Sequence, residues 1–174
     1  LNRPDATTQA LQDGWLRTGD AGYLEDGQLV VLGRFSEMVR TASGESYVPT
    51  YVENRLKFSP YIKDAAVFGA GRDYLAALVC IDFGAVGHWA QVNGVPYVSY
   101  ADLSQNPRVH ELVRTAVARV NKALKPSLQI RRFACLHKEL DPDDGEITRT
   151  RKLRRNVVET AYASVIEALY GSVG

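Results

Sequence analysis

The sequence contains few cysteines, little net charge and no long apolar run, and each scarcity narrows what the protein can be. Its 174 residues include two cysteines and three histidines, and 21 basic residues oppose 20 acidic ones, for a formal net charge of +1. This balance argues against a surface that binds polyanions throughout, although it is compatible with a local basic patch. No apolar run approaches the roughly 20 residues of a membrane span. We therefore predict a globular chain with a buried core.

Several kinds of active site also lack support. Cys80 and Cys135 lie far apart within apolar runs, so we interpret them as buried thiols of a reducing compartment, with one disulfide as the alternative. The histidines have no partner at ligand spacing, and no metal site is predicted. A Gly-x-Ser-x-Gly elbow and a Gly-x4-Gly-Lys phosphate loop are both absent. The first residue is not Met and no signal segment follows, so we expect a chain cut from a longer one.

Apolar periodicity and turn residues predict a mixture of strands and helices. Asp26-Gly27 indicates a β-hairpin with arms near 21–25 and 28–33. Two further strands are expected to pair antiparallel, the second of them centrally because it is almost entirely apolar. Prolines, caps and apolar faces indicate four helices. The predicted ranges are strands at 65–68, 75–83 and 130–136, and helices at 49–57, 85–93, about 17 residues from 107, and 154–170.

Two segments are less regular. Residues 94–105 are predicted to be a loop with a short turn, and 146–150 a short edge strand or an extended loop. The irregular alternation of strands and helices favours an α+β fold over a doubly wound sheet.

One candidate site lies at the end of the hairpin. Strand pairing would bring Asp20 close to Arg34. A carboxylate there can accept two hydrogen bonds from a vicinal diol such as that of ribose, and a guanidinium can hold the same sugar or a phosphate. The alternative is a surface ion pair of little consequence.

A second candidate is the basic stretch 149–155, in which five of seven residues are Lys or Arg. It enters a helix at the N-terminal end, where the helix dipole disfavours cations. Something anionic must offset this charge, either the acidic run Asp141–Asp144 or a phosphate-bearing ligand. A solvated basic face and an RNA-binding patch are the alternatives, the latter weakened because no aromatic residues are interleaved.

Three motifs resemble those of the AMP-forming adenylating enzymes, the superfamily of acyl-CoA synthetases, peptide-synthetase adenylation domains and luciferases. The lysine motif is closest to the long-chain fatty acyl-CoA synthetase version, with Thr-x-Thr-x-Lys. The matching residues are Trp15-Leu16-Arg17-Thr18-Gly19-Asp20; Gly33-Arg34 with Glu37, Arg40, Ser43-Gly44 and Glu53; and Gly145-Glu146-Ile147-Thr148 with Thr150, Lys152, Leu153 and Arg155.

The resemblance implies a role for each motif. Asp20 would bind the ribose hydroxyls of ATP with help from Arg34. Lys152 would bridge the substrate carboxylate and the α-phosphate during adenylation, where a cation stabilises the anionic charge that gathers. The acyl group would then pass to the thiol of coenzyme A.

The family performs these two steps in two poses of its C-terminal domain, and the pivot corresponds to Ser36. Family members usually carry Asp or Lys there, so this is a departure. A second departure is Arg151, which replaces the Gly of the commoner lysine motif and is expected to stiffen the loop. In the second pose the 41–46 loop would line the coenzyme A tunnel, through Ser43, Gly44 and Glu45.

The resemblance further implies that residues 1–34 end a large N-terminal adenylation domain and that 35–174 form a mobile lid. The lid is expected as a small, mostly antiparallel sheet flanked by helices. The parent would be a cytoplasmic ligase, peripheral to a membrane at most, that uses ATP, coenzyme A and Mg²⁺. Its substrate would be a carboxylic acid, with a fatty acid expected. The large domain would hold Mg²⁺ and the phosphate loop, so this chain is expected to be inactive alone. Transfer to a carrier-protein phosphopantetheine is the nearest alternative.

Overall fold

The computed structural model describes residues 11–12 and 15–171, and the first elements within them are short antiparallel strand pairs. Strand β1 (Leu11–Gln12) pairs with β2 (Trp15–Leu16), β3 (Asp20–Glu25) with β4 (Gln28–Arg34), and β5 (Val39–Arg40) with β6 (Ser46–Tyr47). The β3–β4 connection is Asp26-Gly27, with φ of 49° and 78°. Positive φ at both central residues defines a two-residue turn whose backbone twist matches that of the flanking strands. The hairpin prediction is confirmed.

A three-stranded sheet forms the centre of the remaining chain. Strand β8 (Leu75–Ile81) lies between β7 (Ile62–Phe68), which is antiparallel to it, and β9 (Ile130–Cys135), which is parallel. Every residue of β8 is buried, which confirms the prediction of a central strand. The small sheets are otherwise antiparallel, as the α+β prediction requires.

Helices cover both faces of this sheet. One face packs against four helices, and the opposite face against two C-terminal helices and the segment before them. The four are α1 (Pro49–Leu56), α2 (Phe83–Val92), α3 (Tyr100–Gln105) and α4 (Pro107–Asn121), and the two are α5 (Arg155–Ala161) and α6 (Ala163–Tyr170). Within the described residues, none of the helices has the length and apolar character needed to cross a membrane.

The two cysteines belong to opposite faces of the sheet. Cys135 packs in the first core and Cys80 in the second, and both are free thiols. Side chains alternate between faces along a strand, so the sheet itself separates them. The structure confirms buried thiols and contradicts the disulfide alternative.

Some predicted boundaries were wrong where polar residues are satisfied by tertiary contacts. Strand β7 begins at Ile62 rather than 65, because Lys63 reaches Glu139 at 2.6 Å and the buried Asp64 pairs with Arg151. Strand β8 ends at Ile81 because the next residue caps α2 instead.

Two helical predictions also need correction. The predicted 94–105 loop contains α3, whose first turn is capped by the Ser99 hydroxyl, which accepts from the Asp102 N–H at 3.2 Å. The predicted single C-terminal helix is in fact two helices, α5 and α6, which are separated at Tyr162. The side chain of Tyr162 is buried in the core. The 146–150 segment forms only an isolated bridge between Ile147 and Leu153.

Candidate functional site

The hairpin brings Asp20 and Arg34 together as predicted. They are opposite one another in the strand register, and the Arg34 Nη1 lies 3.2 Å from the Asp20 Oδ1. The same guanidinium donates to the Thr18 carbonyl at 2.8 Å, which fixes its orientation. Both charged side chains remain well exposed, at 42% for the aspartate and 61% for the arginine. The carboxylate therefore still has acceptor capacity toward solvent.

Lys152 lies at the end of a small hairpin built from residues 148–152. The Thr148 N–H donates to the Lys152 carbonyl at 2.8 Å, and the Lys152 N–H donates to the Thr148 hydroxyl at 2.9 Å. The Arg151 N–H closes the turn on the Thr148 carbonyl at 2.8 Å. A three-residue hairpin loop of this kind ends with a residue in the left-handed region. Arg151 occupies that position, with a φ of 61°.

This geometry explains the glycine of the commoner lysine motif and adds to the interpretation of Arg151. Glycine adopts positive φ freely, whereas a residue with a side chain is disfavoured there by about 1 kcal/mol or more. Arg151 is therefore strained at this position. Its guanidinium contacts the Asp64 carboxylate on β7. The sequence suggested a stiffer loop, and the structure adds a strained residue tied to the sheet.

The base of this hairpin is anchored by the buried carboxylate of Glu146. Its oxygens accept from the Tyr162 hydroxyl at 2.8 Å, from the Lys138 ammonium at 2.9 Å and from the Asp141 N–H at 3.0 Å. Burial, with the bond to Glu146 second, raises the pKa of Tyr162 to about 12. Burial alone would lower the pKa of Lys138, but its bonds to Asp144 and Glu146 raise that pKa above its ordinary value. The motif glutamate is a fold anchor.

A second pair of motif residues, Glu53 and Arg155, joins three elements. Glu53 on α1 accepts from the Val67 N–H at 2.8 Å, and Arg155 donates to the Val67 carbonyl at 2.7 Å and also to Glu53. Burial raises the pKa of Glu53, and the nearby guanidinium counteracts part of that shift. Both peptide groups of one residue in β7 are thus satisfied by side chains from α1 and α5.

The basic stretch is neutralised in part by acids that the sequence did not suggest. Asp64 pairs with Arg151 and Glu53 with Arg155, whereas Asp144 of the acidic run binds Lys138. The Asp141–Asp144 run is therefore not the main counter-charge. Distance along the chain concealed both partners, because each is contributed by another element.

Ser36 and Lys152 line the same cavity, which has a volume of about 520 Å³. Its wall also carries three basic residues, Lys57, Arg151 and Arg155, and three acids, Glu37, Glu53 and Asp64. Ser36 belongs to a short 3-10 turn, Phe35–Glu37, between β4 and β5. The predicted pivot and the predicted catalytic lysine thus share one surface. The Asp20–Arg34 pair is not part of this wall.

The 41–46 loop does not line this cavity, and it combines internal bonds with contacts to other elements. The Thr41 N–H donates to the Glu45 carbonyl at 3.0 Å, and the Thr41 and Ser43 hydroxyls are 2.9 Å apart. Gly44 has a φ of 84°, and a Cβ there would meet no atom within 4 Å. The glycine is therefore favoured by its positive φ and not by crowding from neighbouring atoms of this chain. Glu45 pairs with Lys125 at 3.3 Å.

In the described part of the chain, no group of three or more His, Cys, Asp and Glu side chains is arranged to hold a metal ion.

Comparison with known proteins defines the family. Residues 36–174 match the family model of the AMP-binding enzyme C-terminal domain, and the chain belongs to that family. It is 38% identical over 167 residues to the long-chain-fatty-acid–CoA ligase FadD15 of Mycobacterium tuberculosis, covering 95% of this chain and 28% of that protein. It is 32% identical to long-chain-fatty-acid–CoA ligase 1 of Cavia porcellus, covering 99% of this chain and 25% of that one.

A solved structure supports the same fold. The adenylation domain of a carboxylate reductase from Mycobacterium chelonae matches with a TM-score of 0.67 and 24% identity, over 98% of this chain and 25% of that one. The chain thus spans little more than a quarter of the relatives it matches.

Proposed function

We propose that this chain is the C-terminal part of an AMP-forming acid–thiol ligase. The parent would join a fatty acid to AMP and then transfer the acyl group to coenzyme A. Family membership and the names of the relatives, which are long-chain-fatty-acid–CoA ligases, support this proposal. In this proposal residues 1–34, of which 1–10 and 13–14 lie outside the described structure, end the adenylation domain, and 35–174 form the lid. A cytoplasmic location is part of the same proposal.

The observation that carries the proposal is an exposed lysine at the end of a defined hairpin. Attack of a carboxylate on an α-phosphate brings two anions together, and a cation between them stabilises the transition state more than the separated substrates. The Lys152 ammonium on its flexible stem can contact oxygens of both reactants. Its backbone is held by Thr148 on both sides, so the stem starts from a fixed point.

Asp20 fits the ribose of ATP. Arg34 occupies one of its oxygens, and the remaining lone pairs can accept from two vicinal hydroxyls. Arg34 would keep the carboxylate oriented and supply positive charge near the nucleotide. In the same proposal, magnesium would be held by the phosphates of ATP and by the adenylation domain.

In the same proposal, Ser36 is the pivot between the two poses and the 41–46 loop contacts coenzyme A in the second. The Ser36 turn connects the hairpin to the lid, where a few dihedral angles can absorb a large rotation. The Gly44 position has open space around it, which suits close approach of a narrow chain such as pantetheine.

The test separates the two half-reactions in a complete ligase that carries this chain. Lys152→Ala is expected to reduce ATP–pyrophosphate exchange about a hundredfold or more. Thioester formation from a supplied acyl-adenylate should change by less than about threefold, because the lysine acts before that step. Arg149→Ala is the matched control, since it removes a cation from the same hairpin. Equal losses in both half-reactions for Lys152→Ala would contradict the assigned role.

Two further measurements address the alternatives. Thioester formation is assayed with coenzyme A and with a phosphopantetheinylated carrier protein, and a preference for the carrier would replace coenzyme A in the proposal. Retention on a polyanion column that Arg149→Ala and Arg154→Ala abolish would favour a polyanion-binding module. The ion pairs of Arg151 and Arg155 already reduce the free charge available for that role.

A further inference from the structure

The hairpin that carries Lys152 is attached to the sheet through the residue immediately before it. Arg151 is in the left-handed region, and its guanidinium contacts the Asp64 carboxylate on β7. The Asp64 side chain is only 10% exposed, whereas the arginine is 46% exposed. A nearly buried carboxylate requires a cation or hydrogen-bond donors. Its sequence neighbour Lys63 pairs with Glu139 instead, so Arg151 supplies that charge.

The other polar contacts of the hairpin tip are internal. Thr148 bonds to the backbone of Lys152 in both directions, and its hydroxyl is 3.0 Å from that of Thr150. Such bonds hold the shape of the tip but do not orient it against the sheet. The base of the hairpin is held by the Glu146 carboxylate and by the apolar flanks, Ile147 and Leu153, and the tip is tied to the sheet by the Arg151–Asp64 pair.

We propose that Arg151 and Asp64 are positioning residues for Lys152. Their ion pair holds the strained turn against β7, and so sets the point from which the lysine stem extends. This inference rests on the proposed function of Lys152. Glycine would satisfy the turn without strain but would leave the Asp64 carboxylate without its cation, so the arginine keeps the tie to the sheet at the expense of a strained backbone. A small displacement of a catalytic group is sufficient to slow a reaction about a hundredfold.

The experiment compares Arg151→Ala, Arg151→Lys and Asp64→Asn in a complete ligase that carries this chain. Arg151→Ala and Asp64→Asn are expected to lower kcat for adenylate formation at least about tenfold, with KM for ATP changed less than about threefold. Thioester formation from supplied acyl-adenylate should stay within about twofold. Arg151→Lys should recover most of the lost rate, because it restores the positive charge. The double variant should lose no more than the worse single variant.

Arg149→Ala is the matched control, since it removes the same charge from the same turn and Arg149 has no ion pair among the described residues. It is expected to stay within about twofold in both half-reactions. Melting temperatures identify a variant that fails to fold. If Asp64→Asn fails in this way, the comparison of Arg151→Ala with Arg151→Lys decides, because that side chain is half exposed.

The outcomes distinguish the two proposals. Full adenylation by Lys152→Ala would remove the proposed role of the lysine, and the positioning inference with it. If Lys152→Ala loses adenylate formation and Arg151→Ala retains it, only the positioning inference would be overturned. Equal loss of both half-reactions in Arg151→Ala would also overturn it, since a general structural defect would then suffice.

Discussion

Glu53 provides a direct test of how the lid is held together. The change to Ala removes the acceptor for the buried Val67 N–H, which costs about 2 kcal/mol. It also leaves the Arg155 guanidinium without its carboxylate partner, although the bond to the Val67 carbonyl remains, which costs about 1 kcal/mol because that side chain is 30% exposed. Loss of the packing of the glutamate stem costs about 1 kcal/mol more. Removal of the buried carboxylate saves about the same amount of desolvation free energy, so these two contributions cancel. We therefore expect Glu53→Ala to lower the free energy of unfolding by about 3 kcal/mol.

Glu53→Gln separates the hydrogen bond from the charge. Its amide oxygen can still accept from the Val67 N–H, and burial already disfavours the ionised glutamate, as its raised pKa shows. The expected loss is about 1 kcal/mol. Urea unfolding of the 174-residue chain, followed by far-ultraviolet circular dichroism, measures both values. The exposed Glu25→Ala control should change by less than about 0.5 kcal/mol. Equal losses for the Gln and Ala variants would refute the assignment of most stabilisation to the hydrogen bond.

Three further predictions follow from strain and burial. Arg151→Gly should be more stable than Arg151→Ala by about 1 kcal/mol in urea unfolding, because only glycine relieves the positive φ; equal stabilities would contradict the strain. Burial raises the pKa of Cys80 and Cys135 to about 12, so at pH 8 only about one thiol in ten thousand is ionised. A thiol reagent should therefore label both cysteines only as fast as the chain unfolds. Fast labelling of the folded chain would contradict the burial of these thiols. Burial also raises the pKa of Tyr162 and Tyr170 to about 12, so the stability that these neutral phenols give to the fold is complete below pH 10 and lost as the pH rises through 12. Phenolate absorbance follows the titration. A urea midpoint that stays constant over that range would contradict the prediction.

The elements with strong local patterns were predictable. Asp26-Gly27 determines a tight hairpin turn through backbone conformation alone, and that hairpin then places Asp20 opposite Arg34. The apolar run of β8 also indicated a central strand, because a strand whose residues are all apolar can be buried on both faces. Such information is local, and no distant partner is needed to interpret it.

Orientation and polar partners were not predictable in this way. Strand β9 lies parallel to β8 after a long helical connection, and nothing within its own residues specifies that direction. Asp64 and Lys63 concealed the start of β7 because their charges are satisfied by Arg151 and Glu139, far along the chain.

By itself the sequence determined the Asp26-Gly27 turn, the helix starts at Pro49 and Pro107 and the position of the lysine motif, because these depend on backbone preferences and short spacings. Only the tertiary structure decided what Glu53, Glu146 and Arg155 do, since an ion pair or buried hydrogen bond requires two elements to meet. It also showed that Arg151 holds a conformation suited to glycine and a contact that glycine cannot make. A side chain in a strained turn is understood only from the group that it reaches.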